Sequence, residues 1–183
     1  MAKRSHTSLT KLSLVLFLLS VFPCSSKAYH DRLQLKETNL TLYFHDFSSG
    51  PNATSAVVTG IPGRVWSYSS FGTIIFADDP ITAGPNKNSP QIARGQGIYA
   101  TASLDGANSQ ILYSIVFTNQ VYNGSTLEIQ GRVLNFDSVA ETAVVGGTGK
   151  FRFASGFATF ETVSFDVTLF YSVTRCNITV LHY

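Results

Sequence analysis

The clearest regularity in this chain is an alternation of apolar with polar or smaller residues at a period of two. The stretch 40–46 shows it first, and the stretches 111–118, 165–173 and 176–180 repeat it. A period of two in β-branched and aromatic residues predicts antiparallel strands whose side chains alternate between two faces. Helix caps followed by an apolar helical period do not occur, so almost no helix is expected after residue 38.

Turn-forming residues separate these stretches. Gly50-Pro51, Gly84-Pro85, Asp105-Gly106 and Asn123-Gly124 combine residues that favour reversals of the backbone. Their spacing is typical of β-barrels and β-sandwiches. Glycine and proline are scattered rather than clustered, and the chain has no internal repeat, which favours a single all-β domain.

The first 28 residues have the features of a secretory signal peptide. A basic start precedes an apolar run at 12–22, and Ser26 and Ala28 are the small residues that cleavage after residue 28 requires. The run is too short for a membrane span, and a signal anchor is the alternative interpretation. We therefore expect a signal peptide at residues 1–28, a mature domain at residues 29–183, and secretion to the extracellular space.

Removal of this leader changes the charge balance. The whole chain has 13 Lys and Arg against 11 Asp and Glu, a net charge of +2. Four of the basic residues and none of the acidic ones lie in residues 1–28, so the mature domain carries nine against 11, a net charge of −2. No basic surface is left that would favour nucleic acid as a partner, and no later stretch is expected to enter a membrane.

Cysteine and asparagine positions bear on the extracellular prediction. Cys24 lies in the leader, so Cys176 is expected to be a buried, inert thiol, and pairing of the two is the alternative if cleavage falls earlier. Four Asn-x-Ser/Thr sequons can accept N-glycans in a secreted protein, and we expect some but not all of them to be used. They lie at Asn39, Asn52, Asn123 and Asn177.

A glycine-rich turn and the run after it carry the most specific pattern. The stretch Val144 to Phe160 contains Gly-Gly-Thr-Gly, followed by alternating aromatic and smaller residues. It resembles the late signature of plant dirigent proteins, and other segments similar to that family occur in the expected order. They are Leu42–Asp46, Phe76–Thr82, Arg94–Tyr99, Tyr122–Leu127 and Val180–Tyr183. The resemblance spans nearly the whole chain after residue 38.

The resemblance implies an eight-stranded antiparallel β-barrel that associates, typically as a trimer, in the plant apoplast. The residues themselves also favour association. Several strands are apolar on both faces, whereas the outer wall of a monomeric barrel should be mainly polar. We therefore expect a homo-oligomer, either a trimer or a dimer.

The sequons orient the strands and make Asp46 a candidate site residue. If Asn39 points outward, a period of two turns Leu42, Phe44 and Asp46 towards the barrel interior. A carboxylate at the mouth of an apolar cavity is costly unless it is paired or used. Partial burial raises the pKa of such a group and allows proton exchange with a phenol or quinone methide. The resemblance also implies a pocket position for this Asp, and capping of a turn is the alternative.

Asp79 and Tyr99 are two further candidates for the pocket. Asp78 and Asp79 are neighbours on a predicted strand and point to opposite faces, so only Asp79 could reach the cavity. Its alternative role is turn formation. Tyr99 shares a face with the small residues Gly97 and Thr101, which leave room for a ligand that its hydroxyl could bind. Plain core packing is the alternative for Tyr99.

The turn at 146–150 is not a phosphate-binding loop. Val144 and Phe151 stand where a P-loop needs Gly and Ser or Thr. The resemblance implies that pinoresinol-forming relatives carry arginine where this chain has Ser155, and an acidic residue in or beside the preceding turn, where it has Lys150. We expect Ser155 at the edge of the pocket, without a cation to hold a methoxyphenol oxygen.

No metal, cofactor or other catalytic set is expected. His30, His45 and His182 are too few and too dispersed for a metal site. The chain has neither a Gly-x-Ser-x-Gly motif nor an active-cysteine arrangement. Cofactor-dependent chemistry is therefore not predicted.

Three functions fit these observations. The first is a secreted module that binds phenoxy radicals of monolignols such as coniferyl alcohol and directs their coupling to optically active lignans. An external oxidase such as a laccase or peroxidase would generate the radicals, and the protein would contribute orientation. The second is a dehydratase or cyclase of the pterocarpan-synthase type, acting on an isoflavanol-like phenol with Asp46 as acid. The third is a storage or cell-wall barrel without chemistry.

Overall fold

The structure is a computed structural model that describes residues 34–64 and 67–183. Nine strands occur in these ranges, and every pairing between them is antiparallel. The strands are β1 Lys36–Phe47, β2 Ser55–Thr59, β3 Ile74–Thr82, β4 Gln91–Thr101, β5 Asn108–Phe117, β6 Thr126–Leu134, β7 Ala140–Gly147, β8 Ser155–Asp166 and β9 Tyr171–His182. The predicted leader at 1–28, including Cys24, lies outside the described residues.

Eight of these strands close into a barrel. The order around the wall is β1-β9-β8-β7-β6-β5-β4-β3, and β1 completes it by pairing with β3, Tyr43 opposite Thr82 and Phe44 opposite Ile81. The remaining strand, β2, lies outside this ring of eight. It pairs with the first half of β3, along the edge of β3 that also pairs with β1. The predicted all-β, eight-stranded antiparallel barrel is thus confirmed, and the only helical turn in the described residues is a 3₁₀ turn at Gly149–Phe151.

The strand alternation sorts side chains between the barrel interior and its outer face. Leu42 and Phe44 on β1 and Ile178 on β9 are buried in the core, whereas Asn39 and Asn177 are exposed. Asn39 and Asn177 therefore mark the outer face, as the sequons predicted. Burial of apolar side chains on the inner faces is the main stabilising contribution in such a barrel.

Aromatic side chains fill one end of the barrel. The rings of Phe117, Tyr122 and Phe151 contact one another with centroids 4.9–5.3 Å apart, and His182 packs edge-on against Phe151 at 5.1 Å. The 3₁₀ turn brings Phe151 inward, and Gly149 allows that turn because its φ is +59°, in the region that favours glycine. We call these four residues the aromatic cluster; it closes the end of the barrel opposite the cavity described below.

The structure corrects one predicted strand. The alternation at 165–173 predicts a continuous strand, but β8 ends at Asp166 and residues 167–170 form a turn before β9. The Asp166 carboxylate accepts hydrogen bonds from the backbone N–H groups of Thr168 and Leu169, at 2.8 and 3.1 Å. These bonds replace the strand ladder and reverse the chain. The apolar alternation therefore continues through an exposed hairpin tip.

The described residues contain one cysteine, Cys176, and it is buried and unpaired. Burial raises the pKa of its thiol, which disfavours the reactive thiolate. In the described part of the chain, no helix is long and apolar enough to cross a membrane.

Candidate functional site

A cavity of about 420 Å³ lies inside the barrel, at the end away from the aromatic cluster. All eight barrel strands contribute to its lining, together with the loop between β6 and β7. Phe44, Tyr113 and Phe160 form an aromatic part of its wall, with ring centroids of Phe44 5.9 Å from Phe160 and 6.5 Å from Tyr113. A partly apolar, concave site of this size is suited to one small aromatic ligand or two closely packed ones.

The ring of Phe44 occupies its place because Gly95 on β4 has no side chain. A Cβ atom at residue 95 would lie 2.4 Å from the nearest Phe44 ring carbon, far inside van der Waals contact. Gly95 therefore provides space for a core aromatic ring. The position of this ring in turn defines one wall of the cavity.

Asp46 lies near the end of β1 and lines the cavity. Its Oδ1 atom accepts hydrogen bonds from the hydroxyl of Ser55 at 2.7 Å and from that of Ser48 at 3.2 Å. The side chain is only partly buried, so its carboxylate faces the cavity near its mouth. The period of two along β1 predicts this inward position of Asp46.

Asp79 on β3 lines the same cavity and is only 4% exposed. Burial and, to a smaller extent, the negative charge of Asp46 together raise its pKa to about 7, while a 2.6 Å hydrogen bond from the Thr54 hydroxyl acts in the opposite direction. Near neutral pH this carboxyl group is therefore poised to donate or accept a proton. Asp78 points outward and pairs with Arg94 at 2.6 Å, an ion pair that lowers the pKa of Asp78.

Thr54 and Ser55, where β2 begins, supply hydroxyl groups that hydrogen-bond the carboxyl groups of Asp79 and Asp46. The backbone N–H of Thr54, just before this strand, donates a hydrogen bond to the carbonyl of Phe47 at 2.8 Å. The backbone carbonyl of Thr54 accepts one from the N–H of Asp78, also at 2.8 Å. Its hydroxyl also accepts from the Phe47 N–H at 3.0 Å. Thr54 thus bridges the end of β1, which carries Asp46, and the middle of β3, which carries Asp79. Sequence reasoning missed this bridge, because a short strand after an irregular loop has no periodic signal.

Tyr99 on β4 also lines the cavity, and its hydroxyl donates to the side-chain carbonyl of Asn135. Asn135 is held in turn by a 2.7 Å hydrogen bond to the carbonyl of Gly106. Because the proton of Tyr99 is engaged, its oxygen is available to accept a hydrogen bond from a ligand hydroxyl. Burial raises the pKa of Tyr99 and also that of Tyr113, where the charges of Asp79 and Asp46 add to the effect.

The expectation for Ser155 is wrong. Ser155 is exposed and is not among the residues that line the cavity. An unbroken alternation through 151–157 would turn Ser155 to the same side as Phe151, but the 3₁₀ turn and the left-handed backbone of Phe153 (φ +61°) interrupt it. The alternation restarts at β8, where Ala158 and Phe160 face inward instead. Side-chain parity holds only along an uninterrupted strand.

The histidines and sequons take the following positions. His45 is buried on the outer side of the β1–β3 junction, where its ring nitrogens hydrogen-bond Tyr171 at 2.6 Å and Thr82 at 2.7 Å. Among the described residues, no group of three or more His, Cys, Asp and Glu side chains is arranged to hold a metal ion. The asparagines of all four sequons are exposed, at Asn39, Asn52, Asn123 and Asn177.

Several cavity residues were not singled out from the sequence. Tyr113 could have been, because it shares the inward alternation of Ile111 and Ile115 and carries a hydroxyl group among these apolar neighbours. Asp137 and Ser138 lie in the β6–β7 loop, where no periodicity gives a direction. The polar residues contributed by β8 and β9 look like ordinary surface positions in the sequence. They are Glu161, Thr162, Ser172 and Thr174.

Comparison with known proteins gives consistent results for sequence and fold. The profile of the family described as "Dirigent-like protein" matches residues 37–181. Pterocarpan synthase 1 of Glycyrrhiza echinata is 35% identical over 98% of this chain and 99% of its own length. Dirigent protein 1 of Arabidopsis thaliana is 38% identical over 94% and 98%. The solved structure of the pterocarpan synthase dirigent protein GePTS1 superimposes with a TM-score of 0.74 at 37% identity, covering 81% of this chain and 86% of that one.

Proposed function

Because this chain belongs to the dirigent protein family, we propose that its cavity binds phenoxy radicals of the monolignol type, such as those of coniferyl alcohol. The protein fixes which faces of two radicals meet and so imparts stereoselectivity on their coupling to lignans. An external oxidase, a laccase or a peroxidase, generates the radicals. The barrel contributes orientation, and oxidation takes place elsewhere.

The observation that carries this proposal is the cavity, which joins an aromatic wall to a small set of oriented polar groups. The rings of Phe44 and Phe160 offer surfaces for stacking a phenol. The oxygen of Tyr99 and the carboxyl groups of Asp46 and Asp79 offer hydrogen bonds for its hydroxyl and methoxy groups. Groups of both kinds on different strands can distinguish the two faces of a planar ligand.

Face selection needs only a modest difference in binding free energy. About 1.4 kcal/mol between two bound arrangements gives about a tenfold preference for one enantiomer. A single hydrogen bond contributes about 1 kcal/mol net. One oriented carboxyl group in the cavity therefore suffices for a measurable bias.

The test is coupling of coniferyl alcohol by a laccase, with and without the protein, followed by chiral separation of the dimers. The protein should bias the enantiomer ratio and leave the oxidation rate unchanged, and it should not consume the alcohol by itself. Asp46→Ala should reduce the bias, whereas Asp78→Ala, the matched change on the outer face, should not. Racemic product from every monolignol tried would contradict the proposal.

A second candidate function is a dehydratase or cyclase reaction on an isoflavanol-like phenol. The observation that favours it is the Asp79 carboxyl group, whose pKa of about 7 suits a general acid near neutrality. Similar proteins named pterocarpan synthase add weight. Incubation with isoflavanols without oxidant tests it. Turnover that Asp79→Asn abolishes and Asp78→Asn retains would support this function over radical coupling.

The setting of either function is also a proposal. We propose a secreted glycoprotein of the apoplast that begins near Tyr29 and associates as a homo-oligomer. The exposed sequon asparagines are sterically open to glycans. N-terminal sequencing of apoplastic protein and a mobility shift after removal of N-glycans test this, and a mature protein that retains Met1 would contradict secretion through a cleaved leader.

A further inference from the structure

We propose that Asp46 and Asp79 make the cavity selective for charge, so that it admits neutral phenols and rejects phenols that carry a carboxylate. This inference rests on the proposed function only in taking a phenol as the ligand. It names the two carboxyl groups as specificity-determining residues. It predicts a difference in binding affinity between ligands that share a phenol ring and differ only in whether the terminal group is neutral or negatively charged.

The first basis is the distribution of charge in the cavity wall. Four acidic side chains line it, and no Lys, Arg or His is found among the described lining residues. One of the four, Glu161, is paired with Arg175 at 2.5 Å and is thereby neutralised. Asp137 is exposed in the loop at the mouth. The uncompensated charge inside the cavity therefore belongs to Asp46 and Asp79.

The second basis is that these two groups already oppose each other. Burial and the charge of Asp46 together hold the pKa of Asp79 near 7. Besides Glu161 and Asp137, the ionisable groups that line the cavity with them are the phenols of Tyr99 on β4 and Tyr113 on β5, which supply no positive charge.

The cation on the neighbouring strand does not change this balance. Arg94 on β4 pairs with Asp78 on the outer face, and its effect on Asp79 is the smallest of those that shift the pKa of Asp79. A wall that resists a second negative charge will resist a third one brought by a ligand.

The consequence differs between a neutral and an anionic ligand. A phenol with an alcohol or ester end can donate its hydroxyl to Asp46 and accept from protonated Asp79 at no electrostatic cost. A carboxylate of the same shape would have to lose its water in a cavity that offers it no cation. The loss of binding should therefore follow the charge of the ligand and should not follow its size.

The test compares three ligands with the same methoxyphenol ring, namely coniferyl alcohol, ferulate and methyl ferulate, by isothermal titration calorimetry. At about pH 8, where a ligand carboxyl group and Asp79 are both ionised, ferulate should bind at least about tenfold more weakly than methyl ferulate. The difference should shrink as the pH falls through about 7, because Asp79 then becomes protonated. The neutral ester should bind like the alcohol at every pH.

Variants locate the effect. In the double variant Asp46→Asn/Asp79→Asn, the difference in affinity between ferulate and methyl ferulate should fall below about threefold. Each single variant should reduce this difference in part. Asp78→Asn, which removes an acid from the outer face, should retain the full difference. Circular dichroism confirms that each variant is folded, and the pH series on the unaltered protein supplies the same test without any substitution.

The outcomes separate this inference from the proposed function. Equal binding of ferulate and its methyl ester by the unaltered protein overturns the charge selectivity but leaves phenol binding standing. Persistence of the difference in the folded double variant also overturns it. Absence of binding by both neutral phenols overturns the proposed function, and the selectivity with it.

Discussion

At the scale of single residues, Asp78 and Asp79 show how strand alternation gives neighbours opposite chemistry. Asp78 points to solvent and pairs with Arg94, which lowers its pKa. Asp79 points into the barrel, where burial and the charge of Asp46 raise its pKa to about 7. The same residue type, one position apart, is thus an ordinary surface anion on one side and a proton-exchanging group on the other.

This difference predicts a pH-dependent effect of Asp79→Asn on stability. Because the pKa of Asp79 is higher in the folded state than its ordinary value of 3.8, the folded state binds more protons than the unfolded state between those values. Stability therefore falls as the pH rises from about 4 to about 7 and then levels off. Asn cannot ionise, so the variant should lack this fall in stability. At about pH 8 its free energy of unfolding should exceed that of the unaltered protein by up to about 4 kcal/mol.

Urea denaturation at about pH 4 and about pH 8 measures this effect. The gain should be present at the higher pH and small at the lower one. Asp78→Asn is the matched control, and it should give no gain at either pH because its carboxylate is favoured in the folded state. An equal effect of Asp79→Asn at both pH values would show that the change acts through packing rather than through charge.

Much of the site could be predicted at this scale, and the failure is informative. Asp46, Asp79 and Tyr99 lie where alternation along single strands places them. Ser155 does not, because the backbone of Phe153 enters the left-handed region and breaks the alternation before β8 begins. Alternation in the sequence predicts whether a side chain points inward or outward within one strand. It does not predict this orientation across a turn.

At the scale of elements, the short strand β2 and the loop before it position the two carboxyl groups. Thr54 bonds to both neighbouring strands through its backbone, and its hydroxyl reaches Asp79. The sequence of β2 has no alternation of apolar residues that would predict a strand. Neither β2 nor the hydrogen bond between Thr54 and Asp79 was therefore predicted. The direct pairing of β1 with β3 is limited to Tyr43 and Phe44 of β1, and β2 pairs with the first part of β3 instead.

Thr54→Val should therefore raise the pKa of Asp79 further. The substitution removes the hydrogen bond that lowers this pKa while it keeps the side-chain volume. Carbon NMR titration of labelled aspartate carboxyl groups measures the change. Thr54→Ser retains a hydroxyl and should leave the pKa of Asp79 near that of the unaltered protein. A Val variant that titrates like the Ser variant would show that this hydrogen bond does not act on Asp79.

Gly95→Ala tests the packing that shapes the cavity. The added methyl group would overlap the Phe44 ring, with 2.4 Å between carbon centres, so the ring must shift or the strands must separate. Overpacking of this kind costs about 1–3 kcal/mol, and displacement of Phe44 should also weaken phenol binding.

Gly146→Ala is the matched control for this change. Gly146 has ordinary backbone geometry and no atom within 4 Å of an added Cβ. Thermal denaturation and ligand titration of both variants should therefore show a change only for Gly95→Ala. Unchanged stability and binding of Gly95→Ala would mean that the Phe44 ring moves without cost.

At the scale of the whole molecule, the outer wall is divided between polar and apolar regions. Asn39 and Asn177 lie on the exposed face of β1 and β9, and the other two sequon asparagines lie in loops. A contrasting row crosses β3, β4 and β5, where Phe76, Ile98 and Leu112 stand opposite one another in register. Phe76 and Leu112 are 49% and 53% exposed. A contiguous apolar row on a sequon-free wall is where contact with another copy is expected.

Leu112→Lys should therefore convert an oligomer of this protein into monomers. A lysine at the β5 end of the row would place a positive charge within an apolar contact, which is unfavourable without a partner of opposite sign. Light scattering coupled to size-exclusion chromatography measures the mass directly. Leu169→Lys, the same change at a residue 60% exposed on the β8–β9 turn, should keep the mass of the unaltered protein. If Leu112→Lys also keeps that mass, or if the unaltered protein is already a monomer, the wall formed by β3, β4 and β5 is not the subunit interface.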